Sequence, residues 1–267
     1  MSKLKSLATN RPIVFGVIIT VLFSILLILI SVLLLIVGSL GESAELALLG
    51  LGRLAIAALF VFLLNRFGWL HSAGFRWADS PHRWAVIVLP TLYMCLAFPY
   101  AYTRSLTIDL SNPAKVVATF LHAQTIGLVE ETIFRGVIMY AFLRLWGDSQ
   151  RGLARSILIS SLLFGSLHLI NLLTGAPFAD VLTQTIFSII LGFFLAAVVL
   201  YAKSIWPAVV VHGLIDAAAH LNVIGKPDLD TTLSDLLLLV AITLPVGVYG
   251  LYLLRRVETK SVIPETP

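Results

Sequence analysis

Charge is scarce in this chain: Asp, Glu, Lys and Arg make up 12% of its 267 residues, against 59% hydrophobic. Soluble domains carry roughly 25% charged residues, so a water-facing globular fold is excluded, and a mean hydropathy of +0.99 marks an integral membrane protein. Cysteine is nearly absent. Cys95 stands alone, which excludes an intramolecular disulfide and any cysteine-rich metal site, and in its apolar run it reads as a small apolar residue. The short alternating stretches of outer-membrane barrel strands are also missing. The apolar runs instead approach the ~20 residues of a membrane-spanning helix. The first run, Pro12 to Gly41, is too long for the core of a signal peptide and closes on no small-x-small cleavage site, so it reads as a retained helix. No internal repeat or second domain is visible. The chain therefore reads as one integral membrane domain over 1–267, without the inverted repeats of transporters.

The hydrophobic pattern predicts an all-α polytopic bundle of about eight transmembrane helices, near 13–38, 46–65, 84–103, 113–146, 156–173, 180–202, 207–222 and 234–254. A basic lead, Met1 to Arg11, precedes them. Phe67 to Arg83 reads as an interfacial loop, and Gly147 to Arg155 as a basic loop. Pro90 and Pro99 should kink the third helix. Asn112-Pro113 is a cap followed by proline at the first helical position. The fourth helix, about 50 Å if continuous, exceeds a bilayer core and must tilt, project or break.

An even number of spans puts both ends on one side. With the N-terminus inside, the inner segments hold Lys3, Lys5, Arg11, Arg66, Arg76, Arg83, Arg144, Arg151, Arg155, Lys203, Arg255, Arg256 and Lys260. The outer ones hold only Arg104, Lys115 and Lys226, while Arg53 and Arg135 lie within helices. This asymmetry predicts cytoplasmic termini in the plasma membrane. It also accounts for the net charge of +4 by orientation, with no nucleic-acid partner implied.

Against this apolar background, Gly127-Leu-Val-Glu130-Glu131-Thr-Ile-Phe-Arg135-Gly136 holds three ionisable groups. A charge at the bilayer centre costs ~2.5 to ~17 kcal/mol depending on the method, so such residues tend to be functional. Glu131 and Arg135, four apart with the acid first, share a helix face and can form a buried ion pair or position other groups. Glu130 lies about 100° around the helix, among Ile126, Gly127, Ile133 and Phe134, with no local counter-charge. It must take a proton or meet a metal, a histidine or a water from another helix.

Helix five carries Phe164-x-x-x-His168 with Asn171 beyond it, and helix seven carries His212-x-x-x-Asp216 with His220 after it. An intramembrane histidine can be a helix-to-helix hydrogen bond or a functional group, and Asn171 can orient it or simply end the helix. Histidine and carboxylate four apart can hold one metal ion or one water. His220 reads as interfacial. With few other polar partners available, Glu130, His168, His212 and Asp216 are expected to converge on one candidate site.

These three motifs, Glu130-Glu131-x-x-x-Arg135, Phe164-x-x-x-His168 and His212-x-x-x-Asp216, in this order on successive helices, resemble the CPBP family. That family comprises the type II CAAX prenyl endopeptidases and their bacterial Abi relatives. The resemblance covers about Pro113 to Asn222, so 113–222 reads as the motif-bearing catalytic core. It implies that Glu130 and His168 activate a hydrolytic water, that His212 and Asp216 stabilise the oxyanion or help hold a metal, and that Glu131 and Arg135 support them. The family includes proteins described as metalloproteases and as metal-free glutamate proteases. A divalent cation such as zinc, held by Glu130, His168, His212 and Asp216, is therefore left open. One departure stands out. The family's third motif often ends in asparagine, whose amide can donate to an oxyanion, whereas an ionised Asp216 only accepts. Asp216 is then protonated, a metal ligand or a histidine orienter.

The expected function is intramembrane hydrolysis of a membrane-tethered peptide or protein through a Glu/His-activated water, with the lipid bilayer as the other partner. A non-catalytic immunity or scaffold protein, and an ion-coupled transporter, are the competing readings.

Overall fold

In a computed structural model, residues 2–38, 40–78, 80–103, 110–223 and 232–259 are described, and they form helices and turns without strands. Arg104, Lys226 and Lys260, used above for orientation, lie outside them.

The basic lead is itself a helix, α1 (Ser2–Asn10). It stops where Arg11 leaves helical geometry (φ −138°, ψ 61°) before Pro12, a proline that disfavours the helical region for the residue before it. It is docked, because Lys5 Nζ donates to the Phe67 carbonyl at 2.7 Å. Pro12 then opens α2 (Pro12–Val37), and α3 (Glu42–Phe67) ends at Gly68 in the left-handed conformation.

The predicted helix 84–103 is divided into a single turn, α4 (His82–Ala85), and α5 (Val88–Thr103). A proline ring clashes with the carbonyl four residues before it, and Val86, four before Pro90, lies in the break. Pro90 therefore sits in the first turn of α5, where its missing N–H costs nothing, and only Pro99 lies inside the helix. The loop between α3 and α4 does more than lie at an interface. Arg76 Nε donates to the Lys203 carbonyl, Ser204 Oγ to the Arg76 carbonyl and the Ile205 N–H to the Gly74 carbonyl, which straps the loop to a later helical corner.

The long fourth stretch is α6 (Pro113–Glu131), then a π-helical segment, Thr132–Met139, then α7 (Tyr140–Trp146). Asn112 caps α6 by accepting from the Lys115 N–H, and Pro113 follows at the first position, as the sequence predicts. A wide π turn is uncommon and tends to occur at functional sites. α8 (Gln150–Leu167) starts within the predicted loop 147–155 because Ser149 caps it through the Gly152 N–H. It tightens into a 3₁₀ turn over His168–Thr174, closed by left-handed Gly175. α9 (Phe178–Ala202), α10 (Trp206–Val223) and α11 (Leu233–Arg255) complete the chain, the last begun by a Thr232–Asp235 capping box.

Among the described residues, six helical stretches are long and apolar enough to cross a membrane: α2, α3, α4–α5, α8 with its 3₁₀ turn, α9 and α11. Their outer faces present Leu35, Phe62, Leu89 and Leu96, an apolar exterior suited to hydrocarbon. α6–α7 and α10 are not among the six, and they carry most of the ionisable residues of the motifs. Inside, the π segment packs on α3, α6 and α8, and α10 packs on α5, α6 and α9.

Candidate active site

The site is built on one close helix crossing. A Cβ on Gly127 of α6 would lie 2.8 Å from both the Gly213 nitrogen and the Val209 carbonyl oxygen of α10, so only glycine permits this approach. Gly127 is one turn before Glu130 and Glu131, and Gly213 follows His212. The crossing therefore brings the two acids against the histidine.

Glu131 serves two partners at once. Its Oε2 is 3.1 Å from Arg135 Nε, a contact pair not aligned as a hydrogen bond, and both side chains are fully buried. Its Oε1 accepts from His212 Nδ1 at 2.9 Å, a partner that local spacing could not reveal. Arg135 is fixed further by Nη2 donating to the Gly192 carbonyl at 3.0 Å and by its guanidinium standing 4.5 Å over the Phe164 ring. The π turn that carries Arg135 is held from α8, where Ser160 Oγ donates to the Phe134 carbonyl at 2.8 Å.

An ionised carboxylate only accepts, so the bond to Glu131 puts a proton on His212 Nδ1. Nε2 then faces Glu130 Oε2 and Asp216 Oδ2, each at 3.6 Å. Glu131 thus occupies the orienting position considered above for Asp216. His168 begins the 3₁₀ turn, with its ring edge-on to Phe164 at 5.8 Å, while His212 meets the same ring at 5.7 Å. Phe164 separates the two imidazoles. Glu130, His168, His212 and Asp216 all line one cavity of about 420 Å³, with Glu131 and Arg135 outside its lining.

Some polar residues are placed differently from expectation. Asn171 Nδ2 donates to Gln184 Oε1 at 2.9 Å, so it ties the 3₁₀ turn to α9 and does not orient His168. His220 is exposed near the end of α10, consistent with the interfacial expectation, and also borders the cavity, with Nδ1 2.7 Å from the Asp216 carbonyl oxygen. Arg53 lines it too and contacts His122, which the sequence reading passed over. The available signal was a buried histidine two turns before Glu130 in the same helix.

Among the described residues no three His, Cys, Asp or Glu side chains form a group able to hold a metal. The bond from His212 Nδ1 to Glu131 leaves Nε2, the nitrogen facing Glu130 and Asp216, as the one a ligand would meet.

Residues 112–218, less than half of the chain, match the family model described as type II CAAX prenyl endopeptidase Rce1-like. Over these residues the chain is similar to the Rce1-like family. All three motifs fall inside the match, in agreement with the CPBP resemblance. No curated protein and no solved structure matches the chain. Its apolar helices, together with the Rce1-like match, support a multi-pass membrane protein.

Proposed function

We propose that this protein is an intramembrane endopeptidase that cuts a membrane-tethered CAAX-type peptide with a glutamate-activated water. The observation that carries the reading is Glu130 and His212 Nε2 facing one another across 3.6 Å on the wall of a cavity, with His212 oriented from behind by Glu131.

Glu130 accepts a proton from water as the water oxygen attacks the scissile carbonyl. When His212 carries its second proton, Nε2–H donates to the developing oxyanion. A donor placed where charge develops contributes on the order of 3–4 kcal/mol. The Glu130 carboxyl then returns its proton to the leaving amine, closing the cycle. His168 lines the same cavity, and in this reading it helps Glu130 activate the water. No step in this reading uses a metal.

α6–α7 and α10 are taken as two further spans, giving eight, with both termini in the cytoplasm of a plasma-membrane protein. The basic-residue asymmetry supports this placement. Purified protein given a prenylated CAAX peptide in detergent tests the reaction. Wild type should release the C-terminal fragment, and Glu130→Gln should slow cleavage by at least ~10²-fold. Equal rates would reject the mechanism.

A further inference from the structure

Where α9 and α11 finish, a second cavity of about 170 Å³ is lined by His82, Arg83, Lys203, Arg256 and Glu258. With histidine neutral, three cations against one acid leave two positive charges in excess among these lining residues. Arg83 and Glu258 make contacts of their own, so Lys203 and Arg256 define the positive wall. Arg256 is held 5.1 Å over the Tyr252 ring. Lys203 has φ 53°, and among the described residues no other non-glycine residue has a positive φ. Glycine adopts that conformation at no steric cost, so a lysine there holds an amine at this spot at the expense of the backbone.

The cavity stands at the level of an aromatic cluster. Trp77 stacks on Trp206 at 5.7 Å and lies 6.1 Å from Trp84, the residue after Arg83. Tryptophans gather at the membrane–water boundary, where lipid headgroups lie. Along the same helices an apolar groove of about 330 Å³ runs between α4–α5 and α11, lined by Val86, Leu89, Tyr93, Pro245 and Tyr249. Tyr249 OH donates to the Val86 carbonyl at 3.2 Å and Tyr93 OH to the Ile242 carbonyl at 3.0 Å, so the two walls are pinned together. Groove and cavity are continuous on both walls. On α4, His82 and Arg83 face the cavity while Ala85 and Val86 face the groove. On α11, Tyr249 stacks on Tyr252 at 5.9 Å, and Arg256 covers the Tyr252 ring.

We infer that cavity and groove together bind one anionic phospholipid, its phosphate between Lys203 and Arg256 and an acyl chain against Leu89, Tyr93 and Pro245. Charge selects the headgroup, because an excess of cations complements a phosphate that carries no balancing choline. Basic pockets between membrane helices bind such headgroups. None of these residues lines the cavity of Glu130, so the site does not depend on the peptidase reading.

Native mass spectrometry of delipidated protein in detergent, titrated with phosphatidylglycerol or with phosphatidylcholine of the same chains, tests the site. Wild type should prefer phosphatidylglycerol, and Arg256→Gln should weaken that preference about fivefold, the size expected for one basic residue at a lipid surface. Lys203→Gly should weaken it similarly while relaxing the backbone, so the loss comes without a fall in the melting temperature of lipid-free protein. Arg66→Gln removes an exposed cation at the end of α3, outside both cavities, and should change nothing. Glycerol phosphate, which has no chains, should bind at least about tenfold more weakly than the lipid. Equal affinity of wild type for the two lipids, or an unchanged preference in both Arg256→Gln and Lys203→Gly, overturns the site. A loss in Arg66→Gln as large as that in Arg256→Gln overturns it in favour of diffuse surface charge. Glycerol phosphate binding as tightly as the lipid overturns it in favour of a free-anion pocket.

Discussion

His212 and Glu131 are joined by a 2.9 Å hydrogen bond between helices that meet 81 residues apart in sequence, and Glu131 simultaneously contacts Arg135 at 3.1 Å. The carboxylate is the hinge between a buried cation and the histidine of the site. Glu131→Leu strands Arg135 without its counter-charge, and removing one partner of a buried pair costs about 3–5 kcal/mol. Thermal melting in detergent should show a large fall for Glu131→Leu. The double variant Glu131→Leu/Arg135→Met should recover much of the stability while remaining inactive, because His212 has lost its orienting group.

Gly127 should behave in the opposite way, affecting activity more than folding. A methyl there meets backbone atoms of α10 at 2.8 Å, which cannot swing aside as a side chain can. Gly127→Ala must push α6 from α10 and carry Glu130 away from His212. Misplacement by about 1 Å can cost ~10²-fold in rate. A kcat loss of that order in a protein that still folds, assessed by its elution and melting, is the expected outcome.

Asp216→Asn should be mild. His212 Nδ1 is already held by Glu131, and Asp216 stands 3.6 Å from Nε2 on the cavity wall, beyond hydrogen-bond length. An amide there can accept and also donate toward an oxyanion. Activity within a few-fold of wild type is predicted, in contrast to abolition by Glu131→Leu. A loss in Asp216→Asn matching that of Glu130→Gln would show that Asp216 has a larger part.

Chelation should leave cleavage intact, because the donor side chains do not form a three-ligand group. Dialysis against a strong chelator, followed by assay with and without added zinc, checks this. Inactivation by the chelator that zinc reverses would require the site to rearrange around a metal.

How far these features can be read in the sequence depends on whether they are local. Glu130, Glu131, Arg135, His212 and Asp216 stand out because each is a costly group in an apolar run, and i,i+4 spacing places Glu131 with Arg135 and His212 with Asp216. The link from Glu131 to His212 is tertiary and invisible to periodicity. So is the Arg53–His122 contact, whose partners are 69 residues apart. The π segment after Glu131 has no sequence signature of its own. It depends on Ser160 of α8 satisfying the Phe134 carbonyl. The helical lead, α1, was hidden by its short length and is kept in place by Lys5 bonding to Phe67 at the far end of α3.

The central claim is that Glu130 drives peptide hydrolysis in the membrane. Membranes from cells making wild-type protein or Glu130→Gln at matched levels can be compared by mass spectrometry of protein termini. The account predicts new C-termini, a few residues short of full length on membrane-anchored proteins, in the wild type alone. Identical termini in both, together with a cellular phenotype that Glu130→Gln also sustains, would contradict it and mark the protein as a scaffold.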